Sequence, residues 1–109
     1  MTRRYSVRLT RGARADLGDI ASYLAREACP AIAAGFLDDM RELVQGLQAF
    51  PEGGAVPKEL EGLGIQKFRQ AGKRPYRLIY RVNDDIVFVL LIADGRRDMN
   101  SPLQRRLLG

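Results

Sequence analysis

The sequence predicts an α+β fold in which a helical hairpin packs on one face of a mainly antiparallel, four-stranded sheet. Three observations predict it. Residues 13 to 47 carry two consecutive apolar stripes at helical spacing, interrupted once at Cys29-Pro30. Residues 65 to 93 hold three strand-like segments whose connections are short enough to require an antiparallel meander. An alternating segment at residues 5 to 9 supplies a fourth strand ahead of the helices. The order is β-α-α-β-β-β, followed by a short closing helix, in one domain spanning residues 1–109.

Tyr5-Ser6-Val7-Arg8-Leu9 alternates apolar and polar side chains, the pattern of a strand with one buried face. Arg3 and Arg4 decorate the terminus before it. Thr10 is placed to cap the first helix, along which Ala13, Leu17, Ile20 and Leu24 form one stripe. Gly12 and Gly18 weaken that helix without breaking it. Pro30 suits the first turn of a second helix, and Cys29 beside it reads as a small packing residue at the turn. The second stripe is Ala33, Leu37, Met40, Val44 and Leu47, widened by Phe36, Leu43 and Phe50, until Pro51 stops the helix.

The segment from Pro51 to Gly64 is rich in turn residues and contains one short helical turn at Lys58-Glu59-Leu60, with the leucine packing inward. Its glycines match no phosphate-cradling motif. The meander then runs as Ile65–Gln70, a loop at Ala71-Gly72-Lys73-Arg74, Pro75–Val82, a tight turn at Asn83-Asp84-Asp85, and Ile86–Ala93. The last strand is apolar on both faces and is therefore central in the sheet. The tail forms a short helix starting near Ser101-Pro102.

The formal charge of +5 is uneven: residues 1–50 hold seven basic and six acidic side chains, residues 51–109 eleven and seven. Between residues 62 and 83 lie Lys67, Arg69, Lys73, Arg74, Arg77 and Arg81 with no acid among them, and Arg96 and Arg97 close the last strand. Alternate positions of a strand share a face, so Arg77 and Arg81 share one side of theirs, and Lys67 and Arg69 one side of the neighbouring strand. Aligned across the ladder, these four form one cationic patch on the sheet face that the helices leave open. Such a face meets an anion, either a phosphate backbone or an acidic protein segment.

What is missing narrows the chemistry. The chain has no histidine, the commonest general base and metal ligand. One cysteine forms neither an intrachain disulfide nor a cysteine-rich metal site, and a cysteine nucleophile has no histidine to activate it. No cofactor or metal is expected. No apolar stretch reaches the length of a membrane span, and the basic N-terminus lacks the apolar core of a signal peptide, so a cytoplasmic location is expected.

With those residues in place, the chain resembles the RelE/ParE superfamily of bacterial type II toxins. The resemblance covers nearly its whole length: YSVRLTRGARADLGDIASYLA at the start, FP at the end of the second helix, PYRLIYRV, and VLLIADGRRDM near the end. It implies the same β-α-α-β-β-β fold and a growth-inhibiting toxin, of the kind that stabilises plasmids, neutralised by a cognate antitoxin in a hetero-oligomer. The family divides by target. RelE-like members cleave messenger RNA on the ribosome; ParE-like members poison DNA gyrase and have no accepted catalytic site.

For a RelE-like ribonuclease the resemblance implies that Lys67, Arg77 and Arg97 clamp the phosphate and stabilise its developing charge. The pattern also calls for a tyrosine or histidine in the C-terminal segment, and residues 99 to 109 contain neither; Leu103 or a neighbour stands there instead. The ParE-like pattern needs no acid/base pair and tolerates this tail, although the chain lacks that branch's histidine near the last strand and tryptophan in the first helix. The expectation leans to a ParE-like gyrase poison, with a RelE-like messenger RNA endonuclease as the alternative and an inactive antitoxin-binding module as a third reading. On any of them the basic-face binding residues are Lys67, Arg69, Arg77, Arg81, Arg96 and Arg97.

Overall fold

A computed structural model describes residues 4–65 and 67–108 of the chain. Arg3 and Gln66, each part of a sequence-based expectation above, lie outside the described residues. The elements run β1 (Ser6–Leu9), α1 (Arg11–Glu27), α2 (Pro30–Ala49), α3 (Lys58–Glu61), β2 (Arg69–Lys73), β3 (Tyr76–Asn83), β4 (Ile86–Asp94) and α4 (Asn100–Leu108). The sheet order is β1-β4-β3-β2. Two helices return the chain to the end of the sheet where it began, so β1 pairs with β4 in parallel, whereas the tight turns make β2–β3 and β3–β4 antiparallel. The fold is the predicted α+β architecture, with β4 central.

The hairpin covers one face of the sheet. The Thr10 hydroxyl accepts the Ala13 N–H at 3.2 Å and starts α1, and Pro30 occupies the first turn of α2. Ala13, Phe36, Met40 and Leu47 are buried against Leu78, Tyr80, Val87, Val89 and Ile92. The stripe of α2 is centred on Phe36 rather than Leu37: Ala33, Phe36, Met40, Leu43 and Leu47 face the sheet, and Leu37 is 38% exposed. The larger aromatic takes the core position because it packs edge-on against Tyr76, ring centroids 4.7 Å apart. Phe50, expected to widen the stripe, is 75% exposed beyond the helix end, and Cys29 is an exposed residue at the N-cap of α2 rather than a packing one.

The opposite face is not left open along its length. A second core forms there from Leu60 of α3, Phe68, Met99 just before α4 and Leu103 within it, packed on Ile79 and Leu91. β4 is apolar on both faces because Ile86 to Ala93 are all apolar, and a β-bulge resets which of them faces which side. Ile79 opposes Leu91 while Tyr80 opposes Val89, so Leu90 is the extra residue. Val87 and Val89 point to the hairpin before the bulge and Ile92 after it, while Leu91 points to the second core.

The first meander strand begins later than its apolar pattern suggests. Ile65 belongs to the end of α3: its N–H bonds to the Leu60 carbonyl (3.3 Å) across Gly64, whose φ of 72° is the left-handed conformation that terminates helices. The strand instead uses Ala71, Gly72 and Lys73, expected as loop, and turns at Arg74-Pro75. Lys67 consequently lies outside the strand.

Candidate functional site

The cations expected on one face occupy different surroundings. Arg77 points to the second face of β3, where a side-chain-less residue, Gly72, stands opposite it and leaves room for its guanidinium. That guanidinium forms a two-pronged pair with Glu59 of α3 (2.8 and 2.9 Å), and its Nε donates to the Gln70 side chain (3.0 Å). Both ends of the pair are largely covered, Arg77 16% and Glu59 10% exposed. The Arg77 hydrogen bond holds the Glu59 carboxyl below its ordinary range against the opposing effect of burial. The aliphatic stem of Arg77 crosses Gly95 so closely that a Cβ there would lie 2.6 Å from its Cδ.

Arg69 and Lys73 project to the other face. Their ladder partners are Tyr80 and Tyr76, whose side chains lie on the hairpin side. Arg69 donates to the carbonyls of Glu52 (3.2 Å) and Gly54 (2.9 Å), tying the connector to the sheet edge. Lys73 is clasped by Asp39 (3.2 Å) and Glu42 of α2. Arg81 lies over the Phe88 ring, 5.4 Å from its centroid, and exposed Lys67 over Phe68 at 5.3 Å. Arg96 chelates Asp94 (2.7 and 3.0 Å), which lowers the Asp94 pKa. Arg97 is exposed, with no hydrogen-bonded or ion-paired side-chain partner among the described residues. The single cationic patch drawn from strand alternation is therefore not formed, because the later start of β2 puts Arg69 on the Tyr80 side.

Two clefts flank the C-terminal end of β4. One, of about 780 Å³, is lined by Gly72, Arg74, Pro75, Tyr76, Arg77, Gly95 and Arg96. The other, of about 490 Å³, is lined by α1 and α4 residues and by the end of β4 and the segment after it, among them Ile20, Tyr23, Leu91, Arg97 and Arg105. Tyr76 lines both, and no sequence signal separated it from ordinary core tyrosines. Burial raises the Tyr76 pKa, so its phenol is protonated at neutral pH and is no base there. The first cleft thus offers cations and a neutral phenol, while one of those cations, Arg77, is already matched by a carboxylate. It suits docking of an anionic surface better than proton transfer. Glu59, which neutralises Arg77, escapes a count of charges along residues 62 to 83 because α3 delivers it from outside that window.

A sheet with one parallel edge strand, a hairpin on one face and a helical tail on the other defines a small RelE/ParE-like α+β domain. A family model for the ParE toxin of the type II toxin–antitoxin system parDE matches residues 7–99, and the chain belongs to this family. Among solved structures, a chain of the chromosomal ParDE toxin–antitoxin system from P. aeruginosa is 25% identical, with a TM-score of 0.69 over 85% of this chain and 98% of that one. A chain of the RelBE2 toxin–antitoxin complex from Mycobacterium tuberculosis is 27% identical, with a TM-score of 0.55 over 84% and 98%. No curated protein matches the sequence. Among the described residues, no helix is long and apolar enough to cross a membrane.

Proposed function

We propose that this type II toxin acts as a gyrase-directed poison, blocking replication in the cytoplasm until a cognate antitoxin binds it. The observation that carries the reading is the Arg77–Glu59 pair. A phosphate clamp needs an available guanidinium, and this one is held by a carboxylate and a glutamine amide in a largely covered position. Leu103, at the place where a ribonuclease of this superfamily would carry an aromatic or histidine, is buried in the second core and presents no titratable group. Membership in the ParE family supports the same target, and the two toxin–antitoxin neighbours support an antitoxin partner.

Two parallel reactions with purified protein test it. Supercoiled plasmid with gyrase should accumulate cleaved DNA only when the protein is added. A ribosome-programmed translation reaction should leave messenger RNA ends unchanged by primer extension. Cuts confined to the A-site codon, absent without ribosomes, would overturn the reading and return Lys67, Arg77 and Arg97 to consideration as a phosphate clamp.

A further inference from the structure

On the second face of the sheet, α3 and α4 cover the half around Ile79 and Leu91. The other half carries a transverse row: Arg8 on β1, Phe88 on β4 and Arg81 on β3 stand directly opposite one another in the ladder. Their strand neighbours, among them Val7, Val87 and Tyr80, point into the hairpin core, which fixes the row on the far side. Phe88 packs into neither core and stays half-buried. Arg81 lies over its ring and Arg8 is exposed on its other flank. Two strand spacings separate the arginine backbones, roughly 10 Å.

Neither arginine side chain is hydrogen-bonded or ion-paired among the described residues, whereas Arg77, Arg96 and Arg106 each hold a carboxylate. The nearest acids by register, Asp84 and Asp85 in the β3–β4 turn, form no ion pair with the row. Covering an aromatic ring explains one arginine. It does not explain a second cation on the opposite flank, at an edge strand within a segment that holds five arginines and no acid in its first fifteen residues.

We infer that this row binds single-stranded nucleic acid: Arg81 swings off the Phe88 ring, a base stacks on Phe88 in its place, and the phosphates on either side of that base meet Arg8 and Arg81. An open sheet face with an aromatic between cations is the physical recipe for sequence-tolerant binding of unpaired strands. A duplex keeps its bases stacked internally and out of reach of the ring. An acidic peptide uses the cations but has no planar group for the aromatic. The site involves none of the cleft residues and does not depend on the toxin's target.

Fluorescence anisotropy with the full-length protein tests it, using labelled oligothymidylate, oligouridylate and a matching duplex, each about a dozen nucleotides long. Single strands should bind more tightly than the duplex, and a preference between uridylate and thymidylate identifies RNA or DNA as the source. Phe88→Leu should weaken single-strand binding about tenfold while Phe88→Tyr retains it. Replacing both Arg8 and Arg81 by glutamine should reduce the log–log salt slope by about 1.4, and Arg41→Gln on α2 should not change it. Circular dichroism confirms that each variant is folded; should Phe88→Leu not fold, Arg8→Gln at the exposed edge decides alone. Parental affinity in the folded variants, equal duplex binding, or a loss with Arg41→Gln matching that with Arg8→Gln would overturn the site. So would displacement of the strand by oligoglutamate with Phe88→Leu without effect. The assay contains neither gyrase nor ribosome, so its failure is separable from failure of the toxin reading.

Discussion

Asp16 and Arg106 together take the place of a missing strand. β1 ends at Leu9, opposite Val89, and leaves the outer edge of β4 unpaired beyond that point. Asp16 accepts the Ile92 N–H at 3.0 Å, and Arg106 donates to the Leu90 carbonyl at 2.7 Å. The two side chains also bind each other, at 2.9 and 3.1 Å. An acceptor from α1 and a donor from α4 thus finish the ladder and staple both helices to the bulged strand. Gly12 makes this possible, since a Cβ there would lie 2.7 Å from the Arg106 guanidinium.

Gly12→Ala therefore has an unusual predicted sign. Replacing a helical glycine by alanine ordinarily stabilises by about 1 kcal/mol. Here the methyl displaces Arg106 from its bonds, so the variant should be no more stable than the parent, and less stable if the pair is lost outright. Asp16→Ala should cost about 2 kcal/mol by stranding the Ile92 N–H and the partly covered Arg106 cation. Urea unfolding of Gly12→Ala in the parent and in an Arg106→Gln background checks this. The ordinary stabilisation should return only in the second background, and its appearance in both would mean that Arg106 does not depend on Gly12.

On α2 the prediction separates two hydrophobic residues three positions apart, Leu37 and Met40. Met40→Ala should destabilise by about 2–5 kcal/mol, because Met40 is buried in the hairpin core. Leu37→Ala should cost well under half as much, since Leu37 faces solvent over more than a third of its surface. Chemical denaturation of the two variants side by side measures the difference, and equal losses would mean that the stripe is centred on Leu37.

Periodicity carried the fold because each element's apolar spacing has one dominant solution: two helical stripes, an N-terminal strand and a meander. It misplaced α2's stripe by one residue because Phe36 and Leu37 both fit a 3.6-residue repeat, and only contact with Tyr76 separates them. It misplaced β2 because Gly64 ends a helix in a conformation that composition does not reveal. The site was legible only as an inventory of cations. Arg77 was found, but its partner Glu59 arrives from a separate helix, and Asp16–Arg106 bridges 90 residues of sequence. Pairing across such distances is a property of the folded chain and leaves no local signal.

Among the superfamily's candidate phosphate-binding positions, Arg97 and Lys67 are exposed and form no ion pair among the described residues, whereas Arg77 is built into the structure. Arg97→Gln and Lys67→Gln should melt with the parent and weaken growth arrest if those cations engage the target. Arg77→Ala should abolish toxicity differently, through a loss of about 2–3 kcal/mol of stability as Glu59 and Gln70 lose their partner. Thermal melts beside growth curves at equal expression resolve the two routes. Full stability of Arg77→Ala together with lost toxicity would mean that Arg77 acts directly on the target.

The Arg77–Glu59 pair also sets a pH dependence whose sign is fixed. The Glu59 pKa is lowered in the folded protein relative to about 4.5 in the unfolded chain, chiefly by the Arg77 hydrogen bond. Around pH 4 the unfolded chain therefore binds more protons at this position, and stability rises with pH. The contribution is fully present above the unfolded value and is lost as pH falls through the folded one. Glu59→Gln, which mimics the protonated carboxyl in shape and charge, should lower stability at neutral pH by about 2 kcal/mol. The gap from the parent should narrow on acidification from neutral pH, as the pH falls through the lowered folded-state value and the parent too comes to carry an uncharged side chain. Urea unfolding of both proteins across that range reads the gap directly. A gap of the same size at both ends would locate the effect in packing around α3 rather than in the charge on Glu59.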